Sequence, residues 1–80
     1  MRKFRIRVKE NNEIHVYSTI LDVDLGAEYF PTSLSEVIRD IMFDKDAEEL
    51  LMVENMGMVT EEEYEKFFDK VGRKSYLKLA

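Results

Sequence analysis

Hydrophobic and polar residues alternate strictly near the start of the chain. Between residues 3 and 9, Phe4, Ile6 and Val8 occupy every second position, and a basic residue stands on either side of each. A period of two is typical of a strand that buries one face. Because the alternation returns between residues 14 and 20, after a short polar segment, the pattern predicts an N-terminal β-hairpin.

Two registers are open for this hairpin. A two-residue turn over 11–12 pairs Val8 with His15, which places a polar ring among apolar side chains. A three-residue loop over 10–12 pairs Val8 with Ile14 and keeps the apolar faces together. Because a slip of one residue turns every side chain to the opposite face, we predict the three-residue loop, which leaves His15 exposed on the outside of the sheet.

Two later stretches have the spacing of amphipathic helices, and each begins at a capping box. The first box is Ser33 to Glu36, and the second is Thr60 to Glu63. Gly72 follows the second apolar stripe as a helix stop. The pattern therefore predicts helices over 33–43 and 60–71.

The segment between the two helices is ambiguous. Leu50 to Glu54 suits a buried strand, since four apolar residues stand together there before a turn-like Asn55-Met56-Gly57. The acids within residues 46–49 equally suit the cap of a short helix that ends at Gly57. Of the two, the strand is our expectation, and a short closing strand is expected from Tyr76 to Leu79.

Together these elements predict an α+β fold, with residues 1–80 forming a single domain. We expect a two-layer sandwich in the order β-β-α-β-α-β, in which both helices pack on one face of a small antiparallel or mixed sheet. The loop before the first helix is expected to tuck Tyr29 and Phe30 inward. The predicted core consists of Phe4, Ile6, Val8, Val16, Ile38, Ile41, Phe67 and Phe68.

Charge is segregated along the chain. Nine of the twelve bases lie in residues 1–9 and 70–80, where no acid occurs, and all seventeen acids lie between Glu10 and Asp69. Such separation affects the choice of partner and the rate of approach more than the fold. The chain has no cysteine, and its longest apolar run has four residues, against about 20 for a membrane span. We therefore expect a cytoplasmic protein with no membrane partner.

Groups that could carry catalysis or hold a metal are scarce. His15 is the sole histidine and there is no cysteine, so neither a Cys–His pair nor a zinc site of the usual ligands can be assembled. Asp22 to Gly26 and Asp44 to Glu49 contain the acids of a calcium loop, but neither keeps its spacing. We expect solvated turns there, and no enzymatic activity, cofactor or metal.

Binding to another protein is the function that remains. The size and charge of the chain are typical of accessory or inhibitor proteins of phages and mobile elements that act on a host protein. Nucleic-acid binding by the basic outer face of the hairpin is the alternative. A third possibility is self-association, in which the basic sheet face of one copy contacts the acidic helices of another. The expected partner contacts are Arg5, Arg7, Lys9, Tyr17, Tyr29, Phe30, Met56, Met58, Glu61 and Glu62.

Overall fold

A computed structural model describes residues 1–22, 32–72 and 74–79, and the predicted inward position of Tyr29 and Phe30 lies outside these residues. Within these described ranges, four strands form one antiparallel sheet in the order β3-β1-β2-β4, accompanied by two helices. The elements are β1 Arg2–Glu10, β2 Glu13–Leu21, α1 Thr32–Asp44, β3 Glu49–Met58, α2 Glu61–Val71 and β4 Leu77–Lys78. The predicted α+β fold, its N-terminal hairpin and its element order are confirmed.

The predicted register of the hairpin is wrong. β1 and β2 are joined by a two-residue turn at Asn11 and Asn12, with φ angles of 50° and 64°. Two consecutive positive φ angles are the geometry of a type I′ turn, whose twist matches that of the strands it joins, and Asn tolerates it. Val8 consequently pairs with His15, and Ile6 pairs with Tyr17.

Two hydrogen bonds make this register acceptable on the buried side. Tyr17 donates its hydroxyl hydrogen to Glu10 Oε2 at 2.6 Å, and Thr19 donates to the Ser75 carbonyl at 2.7 Å. A buried hydroxyl with a partner avoids the penalty of desolvation without compensation. Polar residues of β2 can therefore face the core.

The core lies on the sheet face that carries Phe4, Ile6 and Val8, which we call the inner face. Its helical residues come from α1, and two tyrosines complete it. The buried core cluster consists of Phe4, Ile6, Val8, Tyr17, Leu34, Val37, Ile38, Ile41 and Tyr76. The amphipathic stripe of α1 therefore packs on the inner face, as the spacing predicts.

Three residues predicted for the core are not part of this cluster. Val16 is half-buried, because the observed register turns it to the opposite face of the sheet. Phe67 is buried but lies outside the cluster, and Phe68 is wrong as a core residue because it is 59% exposed. Within the described residues α2 contacts β2 and adds no side chain to this core. Its placement on the same face as α1 stays a prediction.

Both helices begin close to their predicted positions. α1 begins at Thr32, so Ser33 lies in the first turn and is not the N-cap residue that the sequence indicates. At α2 the prediction is confirmed: Thr60 is the N-cap, and its Oγ1 accepts a hydrogen bond from the Glu63 amide at 3.2 Å. Gly72, with φ of 60°, ends α2 and donates its amide hydrogen to the Phe68 carbonyl.

The ambiguous segment is a strand of ten residues, longer than the predicted one. β3 runs through the expected turn at Asn55 because Gly57 adopts a positive φ of 92°, and Asn55 Oδ1 accepts the Gly57 amide hydrogen. Register shifts relative to β1 occur between Arg2 and Phe4 and between Arg7 and Val8. β3 thus forms one border of the sheet along almost the full length of β1.

Candidate functional site

The side of β3 that is turned away from β1 is the largest unpaired backbone surface that the described residues present. β3 stands last in the sheet order, and no other described strand pairs with it on that side. The opposite border is formed by β4, which has only two residues. A long border strand carries a row of amide and carbonyl groups that can pair with a further strand. We call this side of β3 the β3 edge.

Apolar side chains are exposed along the β3 edge. Their exposed fractions are 39% for Leu50, 41% for Leu51, 47% for Met52, 42% for Met56 and 73% for Met58. Border strands of monomeric proteins are usually protected by lysine, by proline or by shortness, and β3 has none of these. Among the described residues, the protective features of β3 are its two register shifts with β1 and the charges of Glu49 and Glu54. Exposed apolar side chains on an unpaired strand are typical of an interaction surface.

The outer face of the sheet, opposite the inner face, carries a row of bases along its middle strand. Lys3, Arg5, Arg7 and Lys9 alternate with the core residues of β1. The observed register places Ile14, Val16, Ser18 and Ile20 of β2 beside this row. The predicted three-residue loop would instead put His15, Tyr17 and Thr19 beside the row, which is wrong because all three belong to the inner face.

The two ends of the outer face differ in exposure. Near the hairpin turn, Ile14 is 68% exposed beside Lys9. At the other end Ser18 and Ile20 are 4% and 7% exposed, so that part is covered. Among the described residues of β2, those near the turn are therefore the more exposed on the outer face, and Lys9 beside them pairs with Glu49 at the start of β3.

The basic row is partly neutralised by β3. Arg7 Nη2 lies 3.4 Å from Glu54 Oε1, with the two side chains 41% and 35% exposed. Such a half-exposed ion pair contributes about 0–1 kcal/mol, so it affects orientation and charge more than stability. The Nε atoms of Arg5 and Arg7 are shielded from solvent and have no hydrogen-bond partner among the residues described. The ion pair with Glu54 leaves less positive charge available to a phosphate chain than the sequence suggests.

The β3 edge itself is acidic at both ends. From residue 46 to residue 65 the chain has eight acids and no base. Glu48 and Glu49 are exposed where β3 begins, and Glu61, Glu62 and Glu63 form the first turn of α2 just after β3 ends. The apolar side chains of the edge therefore lie between two acidic groups.

The structure separates the predicted contact residues into distinct places. Met56 and Met58 lie on β3, and Glu61 and Glu62 lie in the first turn of α2. Arg5, Arg7 and Lys9 lie one strand further in, half-buried on the outer face. Tyr29 and Phe30 fall outside the described residues.

Tyr17, which we predicted as a partner contact, lies in the core cluster. Its side chain is 1% exposed, and its ring packs edge-on against Tyr76 with ring centroids 5.5 Å apart. Burial and the hydrogen bond to the Glu10 carboxylate raise the pKa of Tyr17 far above that of a free tyrosine. It serves the core and holds its proton at physiological pH.

Sequence reasoning missed Leu50, Leu51 and Met52 as surface residues. Their apolar run predicted a buried strand, because a run of this kind is typical of a strand covered on both faces. The signal that indicates a border strand is the acids that surround the run, since a strand inside a sheet rarely carries Glu48, Glu49 and Glu54.

Two exposed phenylalanines, Phe43 and Phe68, offer weaker surfaces. Phe43, 85% exposed, stands alone near the end of α1. Tyr64 and Phe68 line an open groove with Glu65 and Asp69, their rings 6.2 Å apart. All four lining residues belong to one helix, so the groove is a shallow feature of its surface.

Within the part of the chain that the structure describes, no three His, Cys, Asp or Glu side chains gather in a way that would hold a metal ion. His15 lies on the inner face with Nε2 3.2 Å from Glu13 Oε2. None of the helices in the described ranges has the length and apolar character required to cross a membrane. No protein-family model, curated protein or solved structure matches this chain.

Proposed function

We propose that this chain is a small protein-binding module that takes up an extended segment of another protein as an additional strand beside β3. The observation that supports the proposal is the ten-residue border strand with five exposed large apolar side chains. In strand addition, main-chain hydrogen bonds supply affinity and alternate side chains supply specificity.

The energetics of this contact are adequate for a specific complex. A Leu or Met side chain that passes from full exposure to full burial contributes about 1.5–3 kcal/mol, and a half-buried one contributes about half of that. Leu50, Leu51, Met52 and Met56 are half-exposed, so covering them offsets part of the cost of association. Each new backbone hydrogen bond adds about 0.5–1.5 kcal/mol.

The amino-acid composition supports a more specific role for the same contact. A non-enzymatic accessory or inhibitor protein of phages or mobile elements would act through the same contact, by occupying an extended segment of a host protein. The absence of cysteine suits a reducing cytoplasm, where such a partner would be met.

Nucleic-acid binding is the second candidate, supported by four bases on the outer face of β1. Phosphate contacts lose about 0.9 decades of affinity per decade of salt for each base that takes part. A gel shift on mixed DNA and RNA at low ionic strength, repeated with the double variant Arg5→Glu, Arg7→Glu, tests this candidate directly.

Variants of the β3 edge test the main proposal. We expect the tagged chain to retain a specific protein from cytosol, and the double variant Leu51→Lys, Met52→Lys to lose it. Lysine on a border strand blocks strand addition, because the incoming strand would have to desolvate its charge. Phe43→Lys is the control, since it puts a lysine on an exposed apolar site outside the sheet.

Circular dichroism must show that both variants fold like the parent chain. Retention of the same protein by the edge variant would refute strand addition. Loss only in the Arg5→Glu, Arg7→Glu variant would move the contact to the outer face.

A further inference from the structure

We propose that the segment bound at the β3 edge is itself a strand of alternating apolar and basic residues. This inference rests on the proposed function and specifies the chemistry of the partner.

β1 shows what kind of strand β3 accepts on its other side. Lys9 pairs with Glu49 and Arg5 pairs with Glu54, while Ile6 pairs with Val53. Opposite charges in directly facing positions of neighbouring strands stabilise the pair, and so do facing apolar residues. The two glutamates of β3 thus already face bases, in a strand whose other positions are apolar except for Asn55.

The charges around the β3 edge favour the same chemistry in a second neighbour. Within the described residues, Glu48 and Glu49 are exposed at one end of the strand, and the α2 first turn adds three acids beyond the other end. No base occurs between residues 46 and 65, but Lys9 faces Glu49 and Lys66 Nζ lies 3.3 Å from Glu62 Oε1. Among the described residues, Glu48, Glu61 and Glu63 therefore remain without an ion pair at the two ends of the strand. A basic strand is attracted as it approaches, whereas an acidic one is repelled at both ends.

A second copy of this chain is a poor occupant for the same reason. Its β3 would bring another Glu49 and Glu54 to the contact, with Glu48 just before them, and no base from either edge strand. Like charges that approach across neighbouring strands destabilise the pairing. The partner is therefore a different protein with a basic, extended segment.

Labelled peptides test the charge preference. The probe is a peptide with the sequence of Arg2–Glu10, which is basic and alternating. Its controls are the same peptide with each Lys and Arg replaced by Glu, and a shuffled peptide of identical composition in which the alternation is lost. We expect fluorescence anisotropy at low salt to show binding of the probe about tenfold tighter than either control.

Amide hydrogen exchange locates the bound peptide. We expect added protection at amides of residues 49–58 and no loss of protection in β1, because the peptide adds to the sheet and does not replace β1. Loss of protection in β1 would show strand exchange and overturn the inference.

A charge reversal on β3 provides the second test. Glu49→Lys should weaken binding of the basic peptide several-fold and strengthen binding of the acidic one. Glu36→Lys is the matched control, because it makes the same change at an exposed position of α1 and should leave both affinities nearly unchanged.

The outcomes separate this inference from the proposed function. Equal binding of basic and acidic peptides at β3 would overturn the charge preference and leave strand addition supported. A second outcome is that no peptide binds, while the variant Leu51→Lys, Met52→Lys still loses the protein that the parent chain retains from cytosol. This outcome would also overturn only the preference for a basic segment. A dimer in sedimentation that the edge variant dissolves would identify a second copy as the occupant and overturn the inference.

Discussion

Asn11 and Asn12 decide which side chains of β2 reach the core. Both adopt positive φ, which costs an ordinary L-residue about 1–2 kcal/mol and costs Asn less. Because the turn contains these two residues and no third, the register places Tyr17 and Thr19 on the inner face. The hairpin register is thus determined by two exposed residues that touch nothing in the core.

Substitution of Asn11 tests the turn. In the observed turn Asn11→Val should lower the free energy of unfolding by about 1–2 kcal/mol, because a β-branched residue is strained at positive φ. Asn11→Gly is the control and should be close to neutral. Urea denaturation measures both. In the three-residue loop Asn11 would have negative φ, so equal stability of the two variants would contradict the observed turn.

The buried tyrosines make stability depend on alkaline pH. Burial is the main reason that the pKa of Tyr17 and of Tyr76 is raised, and the hydrogen bonds to Glu10 and Asp44 add to it. Below the unfolded pKa of about 10 their contribution to stability is fully present. As pH rises above 10, the unfolded chain loses protons that the folded chain keeps, so stability falls.

Melting curves between pH 8 and pH 11 measure this effect. We expect the fall above pH 10 to be shallower in Tyr17→Phe and in Tyr76→Phe than in the parent chain. Tyr64→Phe is the control, because it removes a half-buried tyrosine of α2. An identical slope in all four proteins would contradict the assignment.

At the scale of residues, burial could be predicted from the sequence where its cause is local. Phe4, Ile6 and Val8 were predictable because alternation alone identifies their face. Tyr17 and Thr19 were not, since their burial depends on bonds to Glu10 and to the distant Ser75. A polar residue in a core becomes predictable only when its partner is known.

At the scale of elements, strongly periodic segments with caps were predictable and the aperiodic one was not. α2 has both a Thr60 cap and a Gly72 stop, and its observed bounds agree with the prediction. β3 has an apolar run without a period, so its length could not be read from the sequence, and only the acids around the run indicate its border position. Its position depends on pairing with β1, which is a long-range contact.

Neighbouring phenylalanines on α2 test which side of the helix is buried. Phe67 is 9% exposed and Phe68 is 59% exposed. Phe67→Ala should therefore lower the free energy of unfolding by about 3 kcal/mol, while Phe68→Ala should cost less than about 0.5 kcal/mol. Thermal melting compares the two variants, each serving as the control for the other. Comparable losses in both would show that the helix is rotated relative to the described orientation.

At the scale of the whole molecule, the segregated charge of the sequence becomes an arrangement of neighbouring strands. The basic N-terminal segment is β1, inside the sheet, and part of the acidic middle is β3, at its border. Opposite charges along the chain thus face each other across one strand pair, as with Lys9 and Glu49. The sequence shows the segregation, but only the topology shows that it lies along an unpaired edge.

The acids of β3 also bear on the oligomeric state. A long apolar border strand tends to pair with copies of itself, and charged residues on the strand oppose that pairing. We therefore expect the parent chain to be a monomer at micromolar concentration. The double variant Glu48→Gln, Glu49→Gln should form dimers or larger assemblies, because two like charges per copy are removed from the contact.

Sedimentation velocity at matched concentrations measures the difference. The control is the double variant Glu36→Gln, Glu65→Gln, which makes the same change in net charge on the two helices and should stay monomeric. A higher salt concentration should slightly increase the association of the parent chain, because screening weakens the repulsion between the acids of two copies. If the edge variant stays monomeric while the helix variant assembles, the acids that keep the copies apart lie on the helices, and the β3 edge does not govern association.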